Sequence, residues 1–163
     1  MRISKTWGSH LPVLTRVVNE TDGDILELGI GIYSTPYLDA ICRRDGRKIE
    51  SYDNNPKFFN RFEEYNSSFH KVILTNDWDS IPIEREWGVV FVDHAPNYRR
   101  GIETKRIANY AKYVVLHDSD PNNDPHYHYD EIYDIFKYSY DYKDLKPNTT
   151  VLSNFVDLTN FKI

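Results

Sequence analysis

The run from Asp24 to Pro36, Asp-Ile-Leu-Glu-Leu-Gly-Ile-Gly-Ile-Tyr-Ser-Thr-Pro, leaves a chain few ways to fold. Ile25 to Leu28 predicts a buried strand, and Gly29-x-Gly31 follows it at once, where side chains would block close backbone approach. Ser34 or Thr35 as cap, Pro36 in the first turn, and Tyr37, Leu38 and Ile41 along one face predict a helix next. A strand, a glycine turn and a helix N-terminus in that order make a cradle for a nucleotide cofactor. Ser34 stands where the dinucleotide fingerprint has its third glycine, which argues against nicotinamide or flavin. The competing reading is a tight turn that binds nothing.

Further strands follow at intervals. Lys48 to Tyr52 predicts a second strand ending on Asp53, about 20 residues past the glycines, the spacing of an acid that accepts both ribose hydroxyls. The competing role for Asp53 is to cap a helix starting at Pro56, and the match with the upstream motif favours the ribose. Val72 to Leu74 reads as a third strand, ending in Thr75-Asn76-Asp77-Trp78. Gly88 to Asp93 is continuously apolar up to its last residue, as in a parallel strand buried on both faces, and runs into His94. Tyr113 to Leu116 reads as a fifth strand, followed by His117-Asp118-Ser119-Asp120. Helices are predicted over Leu11 to Val18 with Ser9 as cap, Pro56 to Tyr65, Ile102 to Lys112 and Tyr129 to Tyr140. Thr149 to Leu152 and Val156 to Phe161 read as a closing hairpin. The alternation predicts an α/β chain: a three-layer α/β/α sandwich with a Rossmann-like, mostly parallel sheet and a C-terminal antiparallel β-hairpin.

Glu27-Leu28-Gly29-x-Gly31-x-x-Ser34-Thr35 resembles the first motif of class I S-adenosylmethionine-dependent methyltransferases. The likeness in layout runs from Asp24 to Ile163 and is closest to small-molecule O-methyltransferases. It implies S-adenosylmethionine as cofactor, held at the first turn by Glu27, Gly29, Gly31, Ser34 and Thr35. It further implies Asp53 and Asn54 at the ribose, Asp77 and Trp78 at the adenine, and Asp93 at the next strand end. Asp93, His94, His117 and Asp118 are the expected catalytic groups, with His94 or His117 as a general base. The metal-assisted members suggest a second route, in which Asp93, Asp118 and Asp120 offer oxygen ligands to Mg2+. The strand at 88 to 93 does not end in the Asp/Asn-Pro-Pro-Tyr/Phe form used on amino groups of bases, which lowers the case for DNA as substrate.

Other polar residues read more plainly. Arg99 and Arg100 are expected to be solvated, and His126 and His128 beside Asp124 are weak evidence for a metal. Trp7 and His10 are either a lid over the cofactor or a staple with an exposed histidine. At 163 residues with a net charge of -5, one domain spanning residues 1 to 163 is expected, with a helical arm over 1 to 23 and no broad grip on nucleic acid. A single cysteine, Cys42, has no internal partner, and no apolar run approaches a membrane span, so a cytoplasmic, soluble protein is expected. Three functions remain open: methyl transfer to a small molecule, other chemistry on the same cofactor such as its cleavage, and a non-catalytic binding module. A homo-oligomer or an open, shallow site would answer for the lack of an inserted cap domain.

Overall fold

A computed structural model describes residues 7–163, so the first six residues of the expected arm lie outside the described residues. The strands are β1 (Ile25–Leu28), β2 (Ile49–Asp53), β3 (His70–Leu74), β4 (Trp87–Val92), β5 (Ala111–His117), β6 (Tyr138–Tyr142) and β7 (Thr149–Ser153). They form one seven-stranded sheet in the order β3-β2-β1-β4-β5-β7-β6. Pairing is parallel from β3 through β5, and β7 runs antiparallel to both β5 and β6. The order reverses between β1 and β4, which pair from Ile25 with Val89 to Leu28 with Val92. Beyond the carboxyl ends of such neighbours an open α/β sheet has its crevice.

Both faces of the central strands are covered, which is why β1 and β4 are buried throughout. Leu26, Leu28, Val90, Val92, Val114 and Leu116 pack with Ile107 of α4 (Arg99–Ile107). Ile25, Val89, Phe91 and Val115 pack with α1 (Leu11–Asn19) and α2 (Ser34–Asp45) through Val13, Leu14, Val17, Leu38 and Cys42. The third helix, α3 (Pro56–Phe62), sets Phe62 against Val72 and Ile30. Gly46 ends α2 in the left-handed conformation, φ 68°, which favours glycine. Among the described residues no helix is long and apolar enough to cross a membrane.

Several expectations are corrected. The stretch read as one helix over 129 to 140 instead follows a four-residue α5 (Asp124–Tyr127), holds a single 3-10 turn at Tyr133–Ile135, and then enters β6. Tyr138, Tyr140 and Tyr142 alternate with Ser139 and Asp141, a period of two that suits the pleat of an edge strand. The hairpin is therefore β6 with β7, and residues 156–161 form no strand. The helix expected over 102 to 112 begins earlier, at Arg99, and ends at Ile107, because Ala111 onward pairs with β4. Caps also differ. Neither Ser34 nor Thr35 caps α2, whose N-cap is Tyr33 without a side-chain bond, and His10 rather than Ser9 precedes α1. Asn55, not Asp53, caps α3 by accepting from the Lys57 N–H.

Candidate active site

The β1 turn is built so that nothing fills the space above it. Gly29 has φ +100°, and a β-carbon there would lie 2.5 Å from the Asp93 carbonyl oxygen, so the ends of β1 and β4 touch backbone to backbone. Gly31 N–H donates to Thr35 Oγ1 at 3.0 Å, and that hydroxyl donates in turn to the Glu27 carboxylate. Glu27 is fully buried beneath the turn, and burial pushes its carboxyl up to about 7. A carboxyl raised on folding adds stability that is complete below its unfolded value and fades as pH rises through the folded one. Glu27→Gln is therefore expected to gain on the wild type in thermal melts as pH goes from about 5 to about 8, and parallel curves would show that Glu27 does not titrate there.

Beside the turn, Asp53 closes β2. Its Oδ2 accepts from the Ile30 N–H at 2.9 Å and its Oδ1 from the Asn55 N–H at 2.7 Å, which ties the glycine turn to the next loop. Burial raises the Asp53 carboxyl, although these backbone donors oppose the shift. A cavity of about 410 Å³ opens here, lined by Gly31, Ser34, Asp53 and Asn54 on one side and by Asp93, Ala95, His117 and Asp118 on the other. Ile30, Ile32, Tyr33, Asn55 and Phe58 add to its wall, and Trp7, His10 and Pro147 lie over it. That volume falls in the range of small-molecule sites.

The far side of the cavity carries a cluster of charge. Arg100 is 6% exposed and places Nη2 3.0 Å from Asp93 Oδ1 and Nη1 3.1 Å from Asp118 Oδ2. Its Nε donates to the His94 carbonyl at 2.8 Å, and the Tyr127 ring lies over the guanidinium at 4.3 Å. His117 Nδ1 faces both carboxylates, at 3.2 Å from Asp93 and 3.5 Å from Asp118. Its Nε2 is 3.0 Å from Ser9 Oγ, whose own hydrogen goes to the Pro147 carbonyl at 2.9 Å, so Nε2 carries the proton. Burial works to lower His117, and the two carboxylates outweigh it and raise it. Burial likewise favours neutral Asp93, and His117 and Arg100 outweigh it and hold the carboxyl below its usual range. Asp118 itself has a left-handed backbone, φ 58°, a conformation in which Asp is enriched. Ser9, His117 and Asp93 thus have the contacts of a hydrolase triad, yet the Ser9 hydroxyl is buried and committed to Pro147.

His10 completes the wall. Burial and the neighbouring His117 lower it to about 3, so it is neutral, and neither ring nitrogen has a partner. Its ring centroid is 4.8 Å from that of His117 and 4.6 Å from that of Phe91. Trp7 and His10 both line the cavity, and His10 is buried rather than exposed.

Several expected site residues are elsewhere. Glu27, Gly29 and Thr35 support the turn from below and do not line the cavity. Asp77 is also outside it, because its carboxylate accepts from the Asp79 N–H and forms a local turn. Trp78 is 5% exposed and packs its ring on His94 at 4.3 Å, inside the core. His94, expected as a catalytic base, is 1% exposed and pairs with Glu103 at 3.1 Å; burial lowers it, so it is a neutral core group. Asp120 accepts from Lys146 Nζ and from the Asn148 N–H, away from the cluster. Arg100, read as solvated, is instead the centre of the charged side, and Arg99 pairs with Asp79 and Glu103. His128 pairs with Glu131, and among the described residues the grouping with metal-ligand spacing is Asp93, His117 and Asp118.

Those three offer ligand atoms all within 4.8 Å of one another. A divalent cation does not fit among them as they stand, since Arg100 already bridges both carboxylates and His117 adds further positive charge.

No family model and no curated protein matches the sequence. Solved structures do. A Staphylococcus aureus protein described as a candidate caffeoyl-CoA O-methyltransferase aligns with TM-score 0.66 at 14% identity, over 89% of this chain and 83% of that one. An O-methyltransferase from Bacillus cereus in complex with SAH gives 0.64 at 16% identity, over 93% and 82%. A SAM-dependent O-methyltransferase from Thermotoga maritima gives 0.65 at 11% identity, over 95% and 68%. The chain has the Rossmann-like methyltransferase fold. Within the methyltransferase fold its cavity lies at the switch point between β1 and β4, where the glycine turn and the strand-end acids converge.

Proposed function

We propose that this protein is an S-adenosylmethionine-dependent methyltransferase, one domain acting in the cytoplasm on an oxygen or nitrogen nucleophile of a small molecule. One observation carries the reading: Gly31, Asp53 and Asp93, from three different strand ends, face a single cavity. The cavity suits the cofactor, since Gly31 brings no side chain to its wall and each Asp53 oxygen keeps acceptor capacity beyond its one backbone bond. When bound, S-adenosylmethionine supplies an electrophilic methyl group on a sulfonium.

The chain's own residues do the rest. Asp53 and Asn54 hold hydroxyls and polar edges on the β2 side. Asp93 and Asp118 would present carboxylate oxygens at the cavity wall, while Arg100 and His117 balance their charge and stop the two from repelling each other. His10 packs a neutral imidazole, buried and without protein hydrogen-bond partners, behind the cavity wall. Asp93, with 27% of its side chain open to the cavity, accepts a hydrogen bond from the nucleophile and holds it in line for displacement. Trp7, Phe58 and Pro147 narrow the access of water.

Calorimetry with S-adenosylmethionine, S-adenosylhomocysteine and a nicotinamide dinucleotide tests the cofactor; methyl transfer to a panel of phenols, alcohols and amines tests the reaction. Binding of the dinucleotide alone would overturn the reading. Cofactor breakdown without an acceptor would reassign the chemistry. Asp53→Asn, whose remaining oxygen can still accept from the Ile30 N–H, is expected to weaken S-adenosylhomocysteine by about 100-fold, the loss of a charged acceptor, and to cost folding less. Equal losses in both would make Asp53 a structural residue.

A further inference from the structure

The Asp93, His117 and Asp118 grouping has the donors and the spacing of a cation site, and a buried arginine sits against it. Two carboxylates at a cavity wall ordinarily repel, and a protein can settle that with a bound cation or with a side chain. Here the guanidinium takes one oxygen from each, at 3.0 Å from Asp93 and 3.1 Å from Asp118. Three further contacts fix it: the His94 carbonyl at Nε, the His117 carbonyl at Nη1 and the Tyr127 ring over its face. Arg100 is not a surface group that swings in by chance. It enters from the first turn of α4 and is absent from the cavity lining, so it neutralises the carboxylates from behind and leaves their other edges open.

We infer that Arg100 stands in for a divalent cation in this site: the protein retains a metal-ligand grouping whose charge is satisfied by an arginine, so it works without a metal there and would bind one if the arginine were removed. The inference concerns the charge balance of the cluster and holds whether or not the methyl-transfer reading does. A guanidinium so firmly paired does not yield to a hydrated cation, because binding would place a double charge beside it and break two charge-assisted bonds.

Mn2+ is the probe, followed by electron paramagnetic resonance of the free ion and by thermal melts with and without it. Wild-type protein should show no Mn2+ site that Asp93→Asn removes. Arg100→Met, unbranched and uncharged, should take up one Mn2+ per chain at least about tenfold more tightly than the wild type, and its melting temperature should rise with added Mn2+. The double variant Arg100→Met/Asp118→Asn should lose that site. If Arg100→Met is unfolded alone, recovery of its melting transition with Mn2+ counts for the inference. A wild-type site abolished by Asp93→Asn would overturn it, and so would an Arg100→Met protein that neither binds Mn2+ nor responds to it in melts.

Discussion

Arg100→Met, in the absence of added metal, should lower stability by about 4 kcal/mol and the melting temperature by roughly 10 °C. The reason is what the substitution leaves behind. Asp93 and Asp118 would face each other with only His117 between them, and the His94 and His117 carbonyls would lose a donor in a buried place. Breaking a buried pair from one side strands the other charge, which is why the loss exceeds the worth of the pair itself. Removing the charge on the other side as well should recover part of it: Arg100→Met/Asp93→Asn is expected to be more stable than Arg100→Met alone. Melts of the two variants beside wild type settle the matter, and a single variant within about 1 kcal/mol of wild type would mean that Arg100 contributes little there.

Gly29→Ala should be comparably damaging, at about 4 kcal/mol, through sterics rather than charge. At φ +100° an L side chain is strained wherever it sits, and here its β-carbon would also lie 2.5 Å from the Asp93 carbonyl oxygen and 2.7 Å from the His94 nitrogen. Those are backbone atoms of a central strand end, and no rotamer change moves them away. The ends of β1 and β4 would have to part, taking Asp93 with them, so ligand binding should fall along with stability. Gly31→Ala makes an instructive contrast, because its β-carbon would meet only the Ser34 hydroxyl, which can rotate. Circular dichroism melts should rank Gly29→Ala well below Gly31→Ala, and the reverse order would contradict the close approach.

These two residues mark the limits of reading from sequence. Gly29 was legible because a strand that runs straight into Gly-x-Gly must turn sharply against a neighbouring backbone, and β4 was legible because its apolar run has no polar face. Arg100 was not, since nothing in Asn97 to Gly101 tells which helix face turns toward two acids on different strands. That information exists only in the packing of α4 on the sheet. Asp77 and Trp78 show the opposite error: the family resemblance gave them a role at the adenine, while a local turn and the core beneath had the stronger claim. The tyrosines at 138, 140 and 142 misled because Ile132, Ile135 and Phe136 just before them repeat at helical spacing, and the change of period is short.

The Ser9 contact joins positions 108 and 138 residues apart, to His117 and to Pro147. Contacts of such long span close long loops, at a cost in chain entropy. The segment ahead of α1 is therefore held to the β5 end by one side chain, and Ser9→Ala should speed hydrogen exchange around residues 8–11 while β1, β4 and β5 stay protected.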